Sequence, residues 1–250
     1  MNIDLSNKMA LVTGGARGIG RECSLLLSEA GARVVINYSR AKEKAEELRD
    51  EIIRNGNEAD IFQADISKPE EVESLFGHIK KNFGRLDILV NNAGIIKDNL
   101  LLAMSLSEWD KVHDVNLRGA FLCTKYAGEM MMANHAGKII NISSIGAIRG
   151  GRGQTNYASA KGGLLSFTRA CAVELGAKGI QVNAVLPGMI VTEMSERVRK
   201  RAGAEILERI PLSRFGKPSD VANLVVFLAS DKADYITGQA IPVDGGLSIS

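Results

Sequence analysis

The sequence predicts an α/β fold, a single domain built on a doubly wound, seven-stranded, mainly parallel sheet with helices on both faces. Three observations lead to this prediction. Short apolar runs alternate with longer segments of helical period, a glycine-rich turn follows the first apolar run directly, and the chain has 250 residues. Alternation of this kind is typical of right-handed βαβ units. The length suits one α/β domain, so we treat residues 1–250 as one unit.

Seven apolar runs predict the strands, and polar segments of helical period predict the helices between them. The longest predicted helices are "SEWDKVHDVNLRGAFLCTKYAGEMMMANH" and "NYASAKGGLLSFTRACAVELGAKG". Residues 189–212, approximately, break the rhythm with a polar, basic helical segment. Ligands of such sheets bind at the carboxyl ends of the strands, so we predict a lid there. The strands are predicted in "MALV", "RVVINY", "EADIFQAD", "LDILVNN", "GKIINISS", "IQVNAVLPG" and "QAIPVDGG".

Composition excludes several classes of function. Hydrophobic residues make up 45% and charged residues 24%, with a formal net charge of +2, so neither nucleic acid nor an anionic membrane is an expected partner. The first residues lack the pattern of a secretory signal and no apolar run could span a bilayer, so a cytoplasmic location is expected. The three cysteines and three histidines are dispersed. We therefore predict no disulfide and no metal site, and interpret the cysteines as small buried hydrophobes.

The turn "LVTGGARGIGRE" after the first strand carries Gly14, Gly18 and Gly20, with Ile19 between the last two. Glycines let the chain turn sharply and let main-chain amides approach a pyrophosphate at the start of the next helix. The alternative is a turn that merely connects a strand to a helix. Its place in a βαβ array favours a dinucleotide site of the Rossmann type.

The end of the second strand predicts NADP(H) as the cofactor. Tyr38, Ser39 and Arg40 stand where NAD-binding proteins carry an acid for the ribose hydroxyls, and Arg17 adds a second cation. Alternatively, both arginines are solvated surface charges. Asp65 ends the third strand, where its carboxylate could accept from the adenine amino group, cap the next helix, or do both.

Tyr157 and Lys161 lie one helical turn apart, on one face of a predicted helix. A phenol can polarise a carbonyl oxygen and protonate it, but its usual pKa near 10 is high, and a lysine one turn away would lower it. Ser144 could donate to the same oxygen. Taken singly, these residues could be a core tyrosine, a solvated lysine and a turn serine, with Asn116 a helix-kinking side chain bonded to the main chain.

Together the motifs resemble those of the short-chain dehydrogenases/reductases, in order and over nearly the whole chain. They are "TGGARGIG", "NNAG", Asn116 in "DVNLRG", Ser144 in "NISS", "YASAK" and "PGMIVT". The resemblance implies that Asn116 holds a water linking Lys161 to solvent, that Asn92 lines the adenosine ribose, and that Ile190 and Thr192 hold the carboxamide and phosphates. It also implies cofactor contacts from Ile66, Ala93, Gly94, Tyr157, Lys161, Pro187 and Gly188.

Within that family the sequence is most similar to the 3-oxoacyl-[acyl-carrier-protein] reductases. The resemblance implies NADPH-dependent reduction of a 3-oxoacyl thioester in fatty-acid synthesis, and a homotetramer that pairs the long helices. It also implies docking of an acidic carrier protein on basic positions beside the entrance, here His135 and Lys178. The lid cations could contribute to docking or bind a coenzyme A thioester. Alternatively, they form the solvent-exposed face of an amphipathic helix. They are Arg197, Arg199, Lys200 and Arg201.

Two alternative functions remain open at the level of sequence. The first is a reductase or dehydrogenase of another ketone or alcohol, such as a sugar, steroid, polyol or acyl-CoA. The choice would depend on pocket residues, for which Ser144, Ile145, Gly151, Gln154 and Tyr157 are candidates. The second is a non-catalytic dinucleotide sensor, which predicts a missing catalytic side chain, whereas serine, tyrosine and lysine are all present.

Overall fold

A computed structural model describes residues 3–250. Within them, seven strands form one sheet in the order β3-β2-β1-β4-β5-β6-β7, and every pairing is parallel. The predicted doubly wound sheet is confirmed, with no antiparallel strand among the described residues. The strands are β1 (Met9–Val12), β2 (Arg33–Tyr38), β3 (Ala59–Gln63), β4 (Ile88–Asn91), β5 (Gly137–Ile142), β6 (Ile180–Pro187) and β7 (Ala240–Val243).

Helices cover both faces of this sheet. Within residues 3–250, no helix is long and apolar enough to cross a membrane. The α-helices are α1 (Gly18–Glu29), α2 (Lys42–Arg54), α3 (Pro69–Phe83), α4 (Leu106–His113), α5 (Gly119–Met132), α6 (Gly146–Arg149), α7 (Thr155–Gly176), α8 (Glu193–Glu208) and α9 (Pro218–Ala229). Short 3₁₀ turns at Leu101–Ala103 and Asp231–Ala233 and a π-helical turn at Asp114–Arg118 complete them.

Two core layers follow from the alternation of side chains along each strand. In β1, Ala10 and Val12 pack with α1, α2 and α9 on one face, whereas Met9 and Leu11 pack with α3 and α5 on the other. All four residues are at most 2% exposed. A strand buried on both faces reads as a continuous apolar run, which is why the sequence predicts these strands so clearly.

The predicted helix "SEWDKVHDVNLRGAFLCTKYAGEMMMANH" is not continuous. It divides into α4, the π-helical turn Asp114–Arg118, and α5. Inside the π turn, the buried Asn116 accepts a hydrogen bond at Oδ1 from Ile95 N (2.8 Å) and donates from Nδ2 to Ile95 O (2.9 Å). A side chain bonded to a neighbouring main chain is one cause of such irregular turns. The interpretation of Asn116 as a helix-kinking residue is therefore confirmed.

The lid prediction coincides with α8, a helix with no buried residue. Ala202 interrupts it with a non-helical conformation (φ −136°, ψ 23°). An exposed helix with an internal break makes few contacts that would fix it to the body of the protein, which suits a segment that moves over a site.

The cysteines agree with the prediction at two of three positions. Cys23 and Cys123 are fully buried, whereas Cys171 is only half-buried. Burial raises the pKa of the Cys123 thiol to about 12 and that of Cys171 to about 11. Thiols of such high pKa are protonated at neutral pH and therefore poor nucleophiles.

Candidate active site

Tyr157 and Lys161 lie on the first turns of α7, directly beside the end of β5. Lys161 is only 3% exposed, and its Nζ donates to the carbonyl of Ile142, the last residue of β5, at 2.7 Å. The same Nζ lies 5.9 Å from the centroid of the Tyr157 ring. Lys161 is therefore not a solvated surface charge, because the fold holds its ammonium group inside the site next to the phenol.

The direction of the Tyr157 pKa differs from the sequence prediction. Burial raises it, the charge of Asp98 adds to the rise, and a hydrogen bond with Ser144 opposes it. Burial also lowers the pKa of Lys161, to about 8. The prediction that Lys161 lowers the pKa of the phenol is thus not met by the chain's own groups. Burial is the first cause of the shift in both groups, and the Lys161 ammonium donates to the Ile142 carbonyl.

Ser144 follows β5 and holds its hydroxyl near the phenol. Its Oγ accepts from Gly146 N at 3.0 Å, and its hydroxyl lies near enough to the phenol to lower the pKa of Tyr157. The preceding Ser143, which the sequence analysis missed, is buried and donates from Oγ to the carbonyl of Lys161 at 2.9 Å. This bond fixes α7 against the end of β5. The relative position of Ser144, Tyr157 and Lys161 is therefore set by main-chain contacts.

Asn156 is a second positioning residue that the sequence analysis missed. It is fully buried, its Oδ1 accepts from Tyr157 N at 2.7 Å, and its Nδ2 donates to the carbonyl of Lys97 at 2.9 Å. The first turn of a helix has main-chain N–H groups without helical partners, and Asn156 satisfies the one on Tyr157. A polar residue just before the tyrosine is a signal, but its type alone does not reveal the distant carbonyl.

Gly94 brings Asn116 and Lys161 together. A Cβ built at Gly94 would lie 3.0 Å from Asn116 Oδ1 and 3.5 Å from Lys161 Nζ. The segment after β4 thus passes close to both polar groups, and a side chain at Gly94 would crowd Asn116. Asn116 in turn holds both main-chain groups of Ile95. The structure therefore places Asn116 close to the lysine, and the predicted water between Lys161 and solvent stays a prediction.

The glycine turn fits a dinucleotide. Gly14 and Gly18 have left-handed φ values of +60° and +55°. A Cβ at Gly14 would come 3.0 Å from Ala93 Cα, and one at Gly18 would come 3.3 Å from Thr192 Cγ2. No side chain of residues 3–250 caps the start of α1 at Arg17, and the first turn has no acidic residue. Uncapped amides at a helix N-terminus suit a pyrophosphate.

Gly20 contributes to the turn differently from Gly14 and Gly18, because its lack of a side chain makes room for Asn92. A Cβ there would collide with Asn92 Nδ2, which donates to the carbonyls of Thr13 (2.9 Å) and Gly14 (3.1 Å). Asn92 therefore braces the glycine turn with its amide in addition to its predicted place beside the ribose. Thr13 completes the brace, since its Oγ1 accepts from Asn92 N at 3.0 Å and from Ala93 N at 3.1 Å.

Asn37 supports the same turn from β2, and the sequence analysis missed it. It is 2% exposed, and its Oδ1 accepts from Gly14 N at 3.3 Å while its carbonyl accepts from Gly15 N at 2.9 Å. Its Nδ2 donates to the carbonyl of Ala64 at 3.0 Å. An asparagine within the apolar run "VVINY" was the available signal, because a buried amide needs partners.

The residues predicted for the 2′-phosphate divide into buried and exposed groups. Tyr38 is 6% exposed and belongs to the core, whereas Ser39 and Arg40 are exposed after β2. Arg17 has 64% of its side-chain surface exposed, and its Nη1 lies 3.6 Å from Glu193 Oε2. Two accessible guanidinium groups are therefore available, and Tyr38 contributes to the shape of the strand end.

Asp65 does not cap α3. Its Oδ1 accepts from Ser67 N (3.1 Å) and Ser67 Oγ (2.7 Å), while the residue before the helix is Lys68. Burial opposes ionisation, but the Ser67 bonds and the charges of Lys68 and Arg40 together lower the pKa of Asp65. The helix-capping alternative is therefore wrong, because Asp65 closes a turn that ends before the helix begins. Its carboxylate remains an acceptor at the end of β3.

The segment after β6 carries the remaining predicted cofactor residues. Gly188 N donates to the carbonyl of Val243 at 3.0 Å, and Thr192 Oγ1 caps α8 by accepting from Ser195 N at 3.3 Å. Ile190 is 4% exposed, as is Ile66 after β3. These two isoleucines are core side chains, so their contribution to a cofactor would be to shape the groove rather than to expose a contact surface.

Apart from Tyr157 itself, the predicted substrate residues lie in the segment between the end of β5 and the start of α7. Ile145 N donates to the carbonyl of Pro187 at 3.1 Å, which joins the loop after β5 to the end of β6. Gln154 precedes α7 and lies 3.4 Å through Nε2 from the carboxylate of Asp98. A Cβ at Gly151 would lie 2.6 Å from Gln154 Oε1. The loop before α7 is therefore closely packed on Gln154.

His135 and Lys178 do not lie where the resemblance implied. His135 precedes β5 and Lys178 precedes β6, whereas Ser144 and Tyr157 lie beyond the end of β5. Parallel strands put all their amino ends at one edge of the sheet, and a six-residue strand spans roughly 17–20 Å. These two residues are consequently at the opposite edge from the candidate active site of the same subunit, and the prediction that they flank its entrance is wrong.

Comparison with known proteins agrees with this geometry. A family model described as enoyl-(acyl carrier protein) reductase matches residues 14–248. A 3-oxoacyl-[acyl-carrier-protein] reductase of Staphylococcus epidermidis is 48% identical over 96% of this chain and 99% of its own length. A protein of the same name from Synechocystis is 46% identical, covering 97% of this chain and 98% of its own length.

Two solved structures share the whole fold. One, provisionally named a gluconate dehydrogenase from Agrobacterium tumefaciens, has a TM-score of 0.97 and 34% identity, covering 100% of this chain and 99% of its own. The other, provisionally named a short-chain alcohol dehydrogenase from Sinorhizobium meliloti, has a TM-score of 0.95 and 39% identity, with complete coverage of both chains. The chain belongs to the short-chain dehydrogenase/reductase family.

Proposed function

We propose that this protein reduces 3-oxoacyl thioesters to 3-hydroxyacyl thioesters with NADPH, as a step of fatty-acid synthesis. The observation that carries the proposal is the arrangement of Tyr157 and Ser144 beside the buried Lys161 at the end of β5, next to a glycine turn that fits a dinucleotide. The names of the 46–48% identical relatives support the choice of substrate. A cytoplasmic place of action stays a prediction from the sequence.

The chain's own groups account for the proton side of the reaction. The chemistry that a reduced nicotinamide would supply when bound is transfer of a hydride, with its electron pair, to C3 of the ketone. Tyr157 donates its phenolic proton to the carbonyl oxygen, and Ser144 donates a hydrogen bond to that oxygen as negative charge develops on it. Lys161 then returns a proton to the phenolate. The raised pKa of Tyr157 keeps the phenol protonated before the reaction begins.

The preference for NADPH rests on Arg17 and Arg40. Both guanidinium groups are exposed near the glycine turn and the end of β2, and Ser39, Arg40 and Ala41, which follow β2 directly, include no carboxylate. Replacing both arginines by alanine should weaken NADPH binding far more than NADH binding. Equal losses for the two cofactors would contradict the assignment.

The direct experiment measures oxidation of NADPH and NADH by the purified protein with acetoacetyl thioesters of acyl carrier protein and of coenzyme A. Tyr157→Phe is the matched variant, since it removes only the hydroxyl. We expect it to lower kcat by three orders of magnitude or more while NADPH affinity stays nearly unchanged, because the phenol supplies both polarisation and the proton. A variant that keeps most of its rate would refute the mechanism.

A second candidate function is oxidation or reduction of another alcohol or ketone. The observation that favours it is the near-complete structural match with proteins named as gluconate and alcohol dehydrogenases. Gluconate, simple ketones and polyols should therefore be assayed beside the thioesters. Turnover limited to these compounds would keep the Tyr157 chemistry and replace the substrate. A higher rate with the coenzyme A thioester would replace only the carrier protein.

We also propose that the protein assembles as a homotetramer. Apolar side chains stand exposed on the two long helices beside the site, with Phe121 on α5 at 46% exposure and Val173 on α7 at 82%. Tyr235, near the start of β7, is fully exposed. Exposed apolar groups on adjoining helices favour an interface between identical copies.

A further inference from the structure

The first residue of α8, within the predicted lid, lies between two cations of the predicted cofactor region. Glu193 begins α8, and its Oε1 accepts a hydrogen bond from Lys44 Nζ on the first turn of α2. Its Oε2 lies 3.6 Å from Arg17 Nη1 in the glycine turn. One carboxylate thus joins the lid, the glycine turn and α2. The Lys44 bond, followed by the charges of Lys44 and Arg17, lowers the pKa of Glu193, so this carboxylate is ionised at neutral pH.

The three residues border one cavity of about 350 Å³ between the starts of α1, α2 and α8. The cavity wall is rich in charge of both signs. Arg21 is held there by Glu51, so the lid's carboxylate is the group that faces Arg17 and Lys44. The charged side chains of the wall are Arg17, Arg21, Lys44, Arg54, Glu47, Glu51 and Glu193.

We propose that Glu193 is a specificity-determining residue that competes with the 2′-phosphate of NADPH for Arg17. The inference rests on the proposed preference for NADPH. A phosphate that binds the Arg17 guanidinium meets the carboxylate already there, and two anions repel each other. NADH has no such group and meets no competition. Lys44 holds the carboxylate on its other side and so limits how strongly Glu193 engages Arg17.

The competition couples the cofactor to the lid. If the 2′-phosphate displaces Glu193 from Arg17, it also loosens one attachment of the first turn of α8 to the glycine turn. By thermodynamic linkage, the factor by which this attachment weakens binding of the phosphate equals the factor by which the phosphate weakens the attachment. The side chains are 47–64% exposed. Exposed ion pairs are weak, so the expected change in affinity is about two- to five-fold.

The test is to titrate the full-length protein with NADPH and NADH and follow cofactor fluorescence. Glu193→Gln should tighten NADPH binding about two- to five-fold and leave NADH binding unchanged. Glu196→Gln is the matched control, since Glu196 lies on the same exposed helix and pairs with Lys200 at 2.7 Å. It should change neither affinity. An unchanged NADPH affinity in Glu193→Gln, or an equal gain for NADH, would overturn the proposal.

Lys44 provides a second, independent readout. In the wild-type protein, Lys44→Gln should weaken NADPH binding, because Glu193 then turns fully to Arg17. In the Glu193→Gln background the same change should have no further effect, since contacting residues give non-additive effects. If Lys44→Gln weakens NADPH binding equally in both backgrounds, Lys44 binds the phosphate itself and the part of the proposal that concerns it is wrong.

Arg17→Gln separates failure of this inference from failure of the proposed function. A selective loss of NADPH affinity in Arg17→Gln, with no effect of Glu193→Gln, would refute the competition and leave the NADPH assignment intact. Equal losses of NADPH and NADH affinity in Arg17→Gln would refute the phosphate assignment on which both proposals rest.

Discussion

At the scale of single residues, the buried charge of Lys161 lowers the stability of the folded protein at the candidate active site. Its ammonium group is 3% exposed, donates to the Ile142 carbonyl, and has a pKa lowered by burial from 10.5 to about 8. A shift of that size corresponds to about 3 kcal/mol of unfavourable free energy while the group is protonated. A residue whose charge destabilises the native state is expected where function requires that charge.

This cost predicts a pH-dependent stability. The native protein releases the Lys161 proton near pH 8, whereas the unfolded chain keeps it until about pH 10.5. Between these values the unfolded state binds more protons, so the contribution of Lys161 to stability rises with pH. Below pH 8 the unfavourable contribution is present in full. The free energy of unfolding of the wild type, relative to that of Lys161→Met, should therefore increase as pH rises from 7 to 9.5.

Urea unfolding at several pH values measures this difference directly. Other titrating groups cancel, because they are common to both proteins. Lys125→Met, at an exposed position of α5, is the control and should show a difference from the wild type that does not change with pH. A pH-independent difference for Lys161→Met would show that the lysine is not desolvated as the structure indicates.

The residue scale also shows what sequence reasoning could and could not reach. Ser144, Tyr157 and Lys161 were predictable because their chemistry is carried by residue type and spacing. The supporting bonds of Asn156 to Tyr157 N and of Asn37 to Gly14 N were not, since an asparagine can find partners anywhere along the chain. The rise in the Tyr157 pKa could not be predicted either, because it depends on burial, which residue spacing does not reveal.

At the scale of elements, the glycine turn between β1 and α1 is the feature most open to test. Gly18 has φ +55°, and a Cβ there would lie 3.3 Å from Thr192 Cγ2 at the start of the lid. Gly84 at the end of α3 has φ +72°, but a Cβ there would meet nothing within 4 Å. The two positions share a left-handed φ and differ in what surrounds them, so they form a matched pair.

We expect Gly18→Ala and Gly84→Ala each to lower the free energy of unfolding by about 1 kcal/mol, the cost of a left-handed conformation for alanine. Only Gly18→Ala should also weaken NADPH, by about tenfold or more, because its Cβ lies where the turn would approach the pyrophosphate. Thermal unfolding and fluorescence titration measure the two effects. Equal NADPH affinity in both variants would place the cofactor elsewhere than on this turn.

Elements also mark a limit of sequence patterns. The apolar period of "SEWDKVHDVNLRGAFLCTKYAGEMMMANH" predicts one helix, and the structure contains two joined by a π turn at Asn116. The periodicity reports which face is buried, whereas the break comes from the bonds of one side chain to Ile95. Similarly, the sequence indicates a lid but not the contact of Glu193 with Lys44, because no local pattern relates residues so far apart.

At the scale of the whole molecule, the doubly wound sheet was predictable from the order of its elements, and its association with other copies depends on surfaces that one chain exposes. Phe121 on α5 packs edge-on against Phe167 on α7, with ring centroids 6.3 Å apart. Val173 lies further along α7 with 82% of its surface exposed. The same helix carries Tyr157, so an interface at Val173 would involve the helix that positions the phenol.

The exposed surface of α7 at Val173 predicts the oligomeric state of the protein. Sedimentation of the wild type should show a tetramer, and Val173→Glu should lower its mass to that of a smaller species, because a charge buried without a partner opposes association. The control is Ile53→Glu on α2, an exposed apolar residue on a different face at 51% exposure, which should leave the mass unchanged. A monomeric wild type, or a Val173→Glu variant that stays tetrameric, would show that the surface of α7 at Val173 is not an interface. Packing on the sheet would then account for the apolar side chains of α5 and α7.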